Sequence, residues 1–504
     1  MTEVWSIDAR TGERVELVGH QATEEEVDAA VQAAAAAGPA LVDAGLSGRA
    51  TLLRAMADAI DADAEAIVVA ADRESALGEV RLRGELARSS YQLRLFAEVL
   101  EDGGYLEITI DHPDPNAIPA PRPDLRRYLV PVGPVAVFSA SNFPLAFSVP
   151  GGDTASALAA GCPVVVKAHS GHPRTSEIVA AAMRRGAASA GFPEDVLTLV
   201  HGRVAGTKLV QHPLIQAVGF TGSLGGGRAL FDLACARPQP IPFYGELGST
   251  NPLVVTPAAA AERAEAIGKG LAGSVTLGLG QFCTKPGVAL VPTGADGDRL
   301  VESLAQAASA VPGGAMLTPS IRDAFIAGAR ERAAHANVRA VLARDGETAP
   351  HVLVTDAGSV DDLLVEECFG PLVLVVRYAT EDELYAVLDK IPGSLTGTVH
   401  SGAEEGKPGS YADRVAQRLG GQAGRIVWNS FPTGVSVTWA QHHGGPWPAT
   451  TFAAHTSVGT TAIRRFLRPV AYQDSPAGLL PPELAEDNPL GLPRRVDGKL
   501  EVGD

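Results

Sequence analysis

Apolar residues recur with helical spacing from Thr23 to Ala37. Thr23 offers a cap, Glu24 to Glu26 suit the positive end of a helix, and Gly38-Pro39 predicts the stop. The same period predicts a helix from Ser47 to about Ser75 and another from about Glu79 to Glu101, ended by Gly103 and Gly104. The period drops to two in Tyr105–Ile110. A proline-rich turn then leads to a partner strand at Leu125–Pro131, which predicts a projecting hairpin. Beyond it, the apolar runs Val135–Phe138, Val164–Lys167, Leu197–Val200, Ala217–Phe220 and Pro242–Glu246 alternate with helical stretches. That is the mark of a parallel sheet with crossover helices. After Asn251 a second alternation begins. Strands are predicted at Pro252–Val255, Gly287–Val291, His351–Val354, Val373–Tyr378 and Thr396–His400, with helices near 258–277, 297–310 and 380–388. From Asp474 onward, proline, acid and glycine predict a surface tail.

Composition narrows the partners. The chain has 504 residues, 46% apolar and 20% charged, enough to bury a core without disulfides or metals. A net charge of −17 argues against nucleic acid and anionic membrane surfaces. Cys162, Cys235, Cys283 and Cys368 lie far apart with no C-x-x-C, which predicts neither a disulfide framework nor a cysteine-rich zinc site. The N-terminus has no basic and apolar leader, and no apolar run is long enough to span a bilayer. A cytoplasmic location is expected.

Three segments carry candidate chemistry. Ser139–Pro144 follows a strand, where open α/β sheets collect ligands, and Asn142 offers an amide donor to a developing oxyanion. Gly245-Glu246-Leu247-Gly248 places a carboxylate between glycines at another strand end, where partial burial makes a base. Gly278–Thr284 places Cys283 after a Gly-x-Gly turn, where a thiolate is a nucleophile, more so near a helix N-terminus. Each has a plainer reading: a turn asparagine, a salt-bridged glutamate, an inert thiol. Inert and buried is the expectation for Cys162, Cys235 and Cys368. Neither a dinucleotide G-x-G-x-x-G nor a Walker loop occurs, but Gly219–Gly226 runs from strand into helix, so Ser223 and free amides there can hold a pyrophosphate. Lys167 ends a strand within reach of a ribose or phosphate. His169 and His172, and the adjacent His442 and His443, have no carboxylates at ligand spacing, so no metal is expected. No sequence feature pairs a histidine with Cys283.

Together these segments resemble the aldehyde dehydrogenase superfamily. The resemblance rests on Pro131–Val135, Ser141–Pro144, Pro163–Lys167, Gly219–Ser223, Glu246–Gly248, Gly280–Cys283 and Glu367–Pro371, in the family's order and spacing. The chain is most similar to the NADP-linked branch that oxidises 2,5-dioxopentanoate (α-ketoglutarate semialdehyde), through Gly280–Gly287, His442–Pro446, Thr456–Thr460 and Phe466–Val470. The resemblance implies an α/β fold with a Rossmann-like cofactor domain (1–108 and 129–246), a catalytic thiol domain (247–440), and a bridging or oligomerisation segment and tail (109–128 and 441–504). It implies that Cys283 attacks the aldehyde, that Asn142 and the Cys283 amide hold the oxyanion, that hydride passes to a nicotinamide to leave a thioester, and that Glu246 activates water. It places Glu367 on the nicotinamide ribose, Phe369 by the ring, Lys167 on the adenosine ribose and Gly222-Ser223 at the pyrophosphate.

One departure bears on the cofactor. Ser170 stands where many family members carry a glutamate that accepts from the ribose hydroxyls. Removing that charge favours a 2′-phosphate by about 1 kcal/mol or more. With Lys167 present and Arg203 nearby, NADP is expected, NAD being the alternative. Phe143, Phe147, Phe282, Phe431 and Trp439 are candidates for the aldehyde funnel by motif neighbourhood, and no arginine can be assigned to a substrate carboxylate. Fatty or aromatic aldehydes, an acyl-CoA-forming dehydrogenase, a cofactor-free cysteine hydrolase and a non-catalytic scaffold are the competing readings. Unpaired edges on a projecting hairpin predict a homodimer or homotetramer.

Overall fold

The computed structural model describes residues 2–503. Its cofactor-side sheet has five parallel strands in the order Leu197–Val200, Val164–Lys167, Val135–Phe138, Ala217–Thr221 and Phe243–Glu246. Helices cover both faces, so the strands are Val-rich and almost wholly buried rather than alternating. The earliest strand lies in the middle, and the strand order reverses on either side of it. The carboxyl ends therefore open a crevice bordered by Phe138, Lys167, Thr221 and Glu246.

The second sheet has seven strands, in the order Arg339–Leu342, His351–Asp356, Leu372–Tyr378, Val288–Pro292, Leu253–Val255, Ser394–His400 and Ala423–Trp428. All neighbours are parallel except the first pair. Cys283 lies between the helix Pro257–Thr276 and the strand Val288–Pro292, whereas Glu246 ends the last strand of the first sheet. The segment after residue 440 folds back onto that strand. Leu247 N donates to Ala449 O at 2.8 Å, and Glu246 forms a β-bridge with Thr450. A third sheet joins Leu467–Gln473, Leu125–Pro131, Thr109–Asp111, Arg494–Val496 and Lys499–Glu501.

Packing overrides local signals in four places. The first helix does not stop at Gly38-Pro39 but runs Glu24–Asp43, because the extra turn buries Leu41 and lets its carbonyl accept from Arg49 Nη1 at 3.1 Å. The helix expected over Ser47–Ser75 breaks at Asp63 into Gly45–Ala62 and Ala64–Ser75. Tyr105 lies in a short 3-10 turn, buried with its hydroxyl on Arg49 Nη2 at 3.2 Å, so the predicted strand shrinks to Thr109–Asp111. The stretch from Asp474 is not a loose tail. Leu484 and Leu492 are buried in the core of the cofactor side, Arg126 Nη1 donates to Leu484 O at 2.8 Å, and Arg494–Glu501 adds two strands to the third sheet. The helices Pro319–Ala333 and Tyr411–Gly420 and the N-terminal hairpin Glu3–His20 have no counterpart among the predicted elements. Among the described residues, no helix is long and apolar enough to cross a membrane.

Deleting residues 475–504 removes two fully packed leucines, each contributing roughly 1.5–3 kcal/mol. The deletion is expected to lower unfolding stability in urea by at least about 3 kcal/mol. An unchanged midpoint would restore the surface-tail reading.

Candidate active site

The Cys283 loop is built by backbone that ordinary residues avoid. Gly278, Leu279 and Gly280 all take positive φ (55°, 53° and 65°), which turns the chain out of the preceding helix. At Gly280 a Cβ would lie 2.4 Å from the Gly370 carbonyl, so the approach requires glycine. Asn251 locks the loop from the other side: its Nδ2 donates to Cys283 O at 2.8 Å and Lys285 O at 3.0 Å, while its Oδ1 accepts from Thr396 N at 3.1 Å and Ser249 Oγ at 2.6 Å. Cys283 follows the C-terminal end of a helix, so no helix N-terminus assists its thiolate. Burial pushes the thiol well above its ordinary range, the nearby Glu246 charge adds to that, and the Arg88 guanidinium opposes it.

Glu246 does not stand alone. Its Oε1 lies 2.9 Å from His443 Nε2 and its Oε2 accepts from Ser457 Oγ at 2.6 Å. The same His443 Nε2 is 3.6 Å from Cys283 Sγ. Burial pushes the Glu246 carboxyl up, but His443 and the hydroxyl of Ser457 outweigh it and leave the group below the usual carboxylate range. His443 is held by a short β-like pairing: its N–H donates to Thr456 Oγ1 at 2.8 Å, and Ser457 N donates to its carbonyl at 2.9 Å. The expectation that no histidine pairs with Cys283 is thus corrected. The residues lie 160 and 197 positions apart, a separation that no local spacing rule detects.

Asn142 lies beside the same loop, its Nδ2 donating to Gln281 O at 3.0 Å, which uses one of its two N–H groups and leaves the other. Arg81 Nη2 donates to the Asn142 carbonyl at 2.7 Å. Phe143 packs on Phe147 (5.3 Å) and Phe282 (5.4 Å), and Phe147 reaches His443 (6.2 Å). Two arginines of the helix Glu79–Asp102 lie over these rings. Arg81 is 5.1 Å from Phe143 and 4.8 Å from Phe282, and Arg88 is 5.8 Å from Phe143 and 5.4 Å from Phe147. Arg81 Nη1 and Arg88 Nε and Nη2 are buried without a hydrogen-bond partner. Phe431 packs at a tilt against His400, ring centroids 5.0 Å apart, and covers Gly270 beside the core of the second sheet. Trp439 is 51% exposed.

A cleft of about 2140 Å³ runs from Cys283, Glu246 and Asn142 along the first sheet's carboxyl edge. Lys167, Ser170, Arg203, Gly222, Ser223, Glu367 and Phe369 all line it. An extended dinucleotide suits this lining. Ser223 caps the helix Leu224–Cys235 by accepting from Gly226 N at 3.3 Å, which presents a helix N-terminus to the cleft. At Gly227 a Cβ would meet Leu247 Cδ2, so that helix sits as close as glycine permits. The Gly222 amide is not free for phosphate, since it donates to Glu246 O at 3.1 Å. Burial pushes the Lys167 ammonium down and pushes the Glu367 carboxyl up to about 7, against the pull of Lys285. Of the other cysteines, Cys162 and Cys368 are buried as expected, but Cys235, expected inert and buried, ends a helix and is exposed.

The aldehyde dehydrogenase family model matches residues 3–446. The chain is 50% identical over 467 residues to alpha-ketoglutaric semialdehyde dehydrogenase 2 of Azospirillum brasilense, covering 90% of this chain and 88% of that one. It is 42% identical over 488 residues to alpha-ketoglutaric semialdehyde dehydrogenase of Acinetobacter baylyi, covering 95% and 92%. Among solved structures, the fold matches an NADP-dependent enzyme of E. coli (TM-score 0.79, 23% identity, covering 93% of this chain and 94% of that one). It also matches aldehyde dehydrogenase C of Pseudomonas syringae in complex with NAD+ and octanal (TM-score 0.78, 22% identity, covering 94% and 93%). A thiol, an amide donor and a carboxylate at the head of a dinucleotide-sized cleft are the parts that aldehyde oxidation needs, and this chain belongs to the aldehyde dehydrogenase family.

Proposed function

We propose that this enzyme oxidises an aldehyde bearing a distal carboxylate, of the 2,5-dioxopentanoate type, to the corresponding acid with NADP+. The observation that carries the substrate class is the arginine pair over the aromatic rings. Arg81, Glu85 and Arg88 share one helix face, and Glu85 is spent on the backbone N–H groups of Leu145 and Ala146 at 2.8 and 3.0 Å. Two guanidiniums face that one committed carboxylate, and their buried donors Arg81 Nη1 and Arg88 Nε and Nη2 are unmatched. An unmatched buried charge is costly, and a single substrate carboxylate removes that cost. The names of the two bacterial relatives point to the same class of substrate.

The chemistry follows from proton positions. Attack on the aldehyde requires Cys283 to lose its proton, and the Glu246 carboxylate, a hydrogen-bond partner of the thiol, is the acceptor in reach. His443 Nε2 donates to Glu246 Oε1 at 2.9 Å and lies 3.6 Å from the sulfur, so its N–H can turn to the thiolate as Glu246 takes the proton. The free N–H of Asn142 and the Cys283 amide receive the oxyanion. A dinucleotide held in the cleft by Lys167, Ser223 and Glu367 would supply the hydride acceptor through which the Cys283 thiohemiacetal becomes a thioester. Glu246, oriented through its other oxygen by Ser457, then draws a proton from water to release the acid. The presence of Glu246 supports water rather than a thiol cosubstrate as the acyl acceptor. Lys167, Ser170 and Arg203 line one stretch of the cleft with no carboxylate among the three, which supports the 2′-phosphorylated cofactor. The exposed edge strand Lys499–Glu501 supports a homodimer or homotetramer.

Glu246→Gln keeps a hydrogen bond from His443 but cannot accept the thiol proton. It is expected to lower kcat/KM between about a hundredfold and ten-thousandfold; an unchanged value would remove Glu246 from the proton path. Arg88→Gln is expected to lower kcat/KM for the anionic semialdehyde roughly tenfold to hundredfold, the loss of about 1.5–3 kcal/mol for a hydrogen bond to a charged group. A neutral aldehyde of equal length is expected to change little. Equal losses on both would defeat the anchor. Run with both dinucleotides, the same assay is expected to give the higher kcat/KM with NADP+, and a clear NAD+ preference would overturn that part.

A further inference from the structure

Three different ligand types converge where the sequence predicts no metal. Cys283 Sγ, His443 Nε2 and a Glu246 carboxylate oxygen all lie within 4.8 Å of one another. We propose that these three atoms form a binding site for Zn2+ or a cation of similar softness, and that occupancy shuts the enzyme off by capping its nucleophile. This rests on the geometry of the three groups and not on the choice of aldehyde.

The separations fit a tetrahedral ion. Zinc bonds of about 2.3 Å to sulfur and roughly 2.0–2.2 Å to nitrogen and oxygen place neighbouring ligand atoms about 3.4–3.6 Å apart. The sulfur–nitrogen separation is 3.6 Å and the nitrogen–oxygen separation is 2.9 Å, so the second need open only by a few tenths of an ångström. Thiolate, imidazole and carboxylate together are the donor set that zinc prefers over magnesium or calcium. Charge also favours the ion. A thiolate beside the Glu246 carboxylate is repulsive, and a divalent cation between them brings the pair to neutrality. Ser457 orients Glu246 from behind at 2.6 Å, as a partner outside the coordination sphere does. Two features limit the affinity. His443 Nδ1 has no hydrogen-bond partner, and Arg88 adds a positive charge nearby. The site is therefore weaker than a closed structural zinc site. Cys283 and Glu246 line the cleft, which leaves the fourth position open to water. Binding involves no redox change: a sulfur–metal bond forms, the thiol proton leaves to solvent, the imidazole proton moves from Nε2 to Nδ1, and the hydrogen bond between His443 and Glu246 gives way to two metal bonds.

The test is calorimetric titration of the purified full-length protein with Zn2+ alone, in a Cys235→Ser background that removes the exposed thiol without touching the site. One equivalent is expected to bind, with net proton release revealed by repeating the titration in buffers of different ionisation enthalpy. Cobalt(II) is expected to produce a thiolate charge-transfer band in the near ultraviolet. Cys283→Ala and His443→Gln are each expected to weaken binding at least about a hundredfold, the upper end of what losing an outer partner alone costs. Thermal melts of both variants establish that they are folded, and the cobalt spectrum of the background protein reads the thiolate bond without them. Stoichiometric binding that survives Cys283→Ala, binding indifferent to His443→Gln, or a cobalt complex without the thiolate band would each overturn the site.

Discussion

The whole arrangement depends on one shared proton. Cys283 and Glu246 are held so close that both cannot be negative unless a cation stands between them. Two unit charges about 4 Å apart in a medium of effective dielectric near 20 repel by about 4 kcal/mol. In the mechanism proposed above, Glu246 relieves that repulsion by taking the proton as the thiol ionises, and His443 Nε2, in reach of both groups, donates to the one that is negative. Cys283 is thereby kept as a thiol until an aldehyde is present to attack. A divalent ion at the proposed site would relieve the same repulsion in that proton's stead.

Everything around these atoms serves to hold three distant segments together. The first sheet ends at Glu246, the second sheet begins after the Cys283 loop, and the stretch His443–Ser457 lies along the strand that carries Glu246. Asn251 fixes the thiol loop through its carbonyls, and the Thr456 hydroxyl fixes the histidine through its amide. The aromatic cluster and the two arginines over it complete the other side.

What could be read from the chain followed the reach of local signals. The five strands of the first sheet stand out because each is a short Val-rich run bounded by turn residues. Cys283, Glu246 and Asn142 stand out because each sits beside glycine or proline in an ordered motif. Lys167, Ser223 and Glu367 were reachable through the same motifs, and all three line one cleft. Phe431 was offered by nearness to a motif along the chain, which says nothing about which face a ring turns to; its ring packs against His400. His443 was visible as part of a His-His-Gly-Gly-Pro motif, but its partner carboxylate is supplied by another sheet. Arg81 and Arg88 carry no motif; only their helix's docking against Phe143 and Phe282 exposes them as a pair. Pro39 and the stretch after Asp474 reversed their local signals because buried leucines outweigh a helix breaker or a polar composition.

The most direct measurement is the rate of Cys283 alkylation by iodoacetamide as a function of pH, followed by mass spectrometry of the peptide that carries it. Burial and the Glu246 charge hold the proton on sulfur. The account therefore predicts a rate that keeps rising with pH, close to tenfold per unit, past the ordinary thiol value of about 8.5. A fast rate already level at neutral pH would mean a preformed thiolate–imidazolium pair, and the proton-sharing account would be wrong.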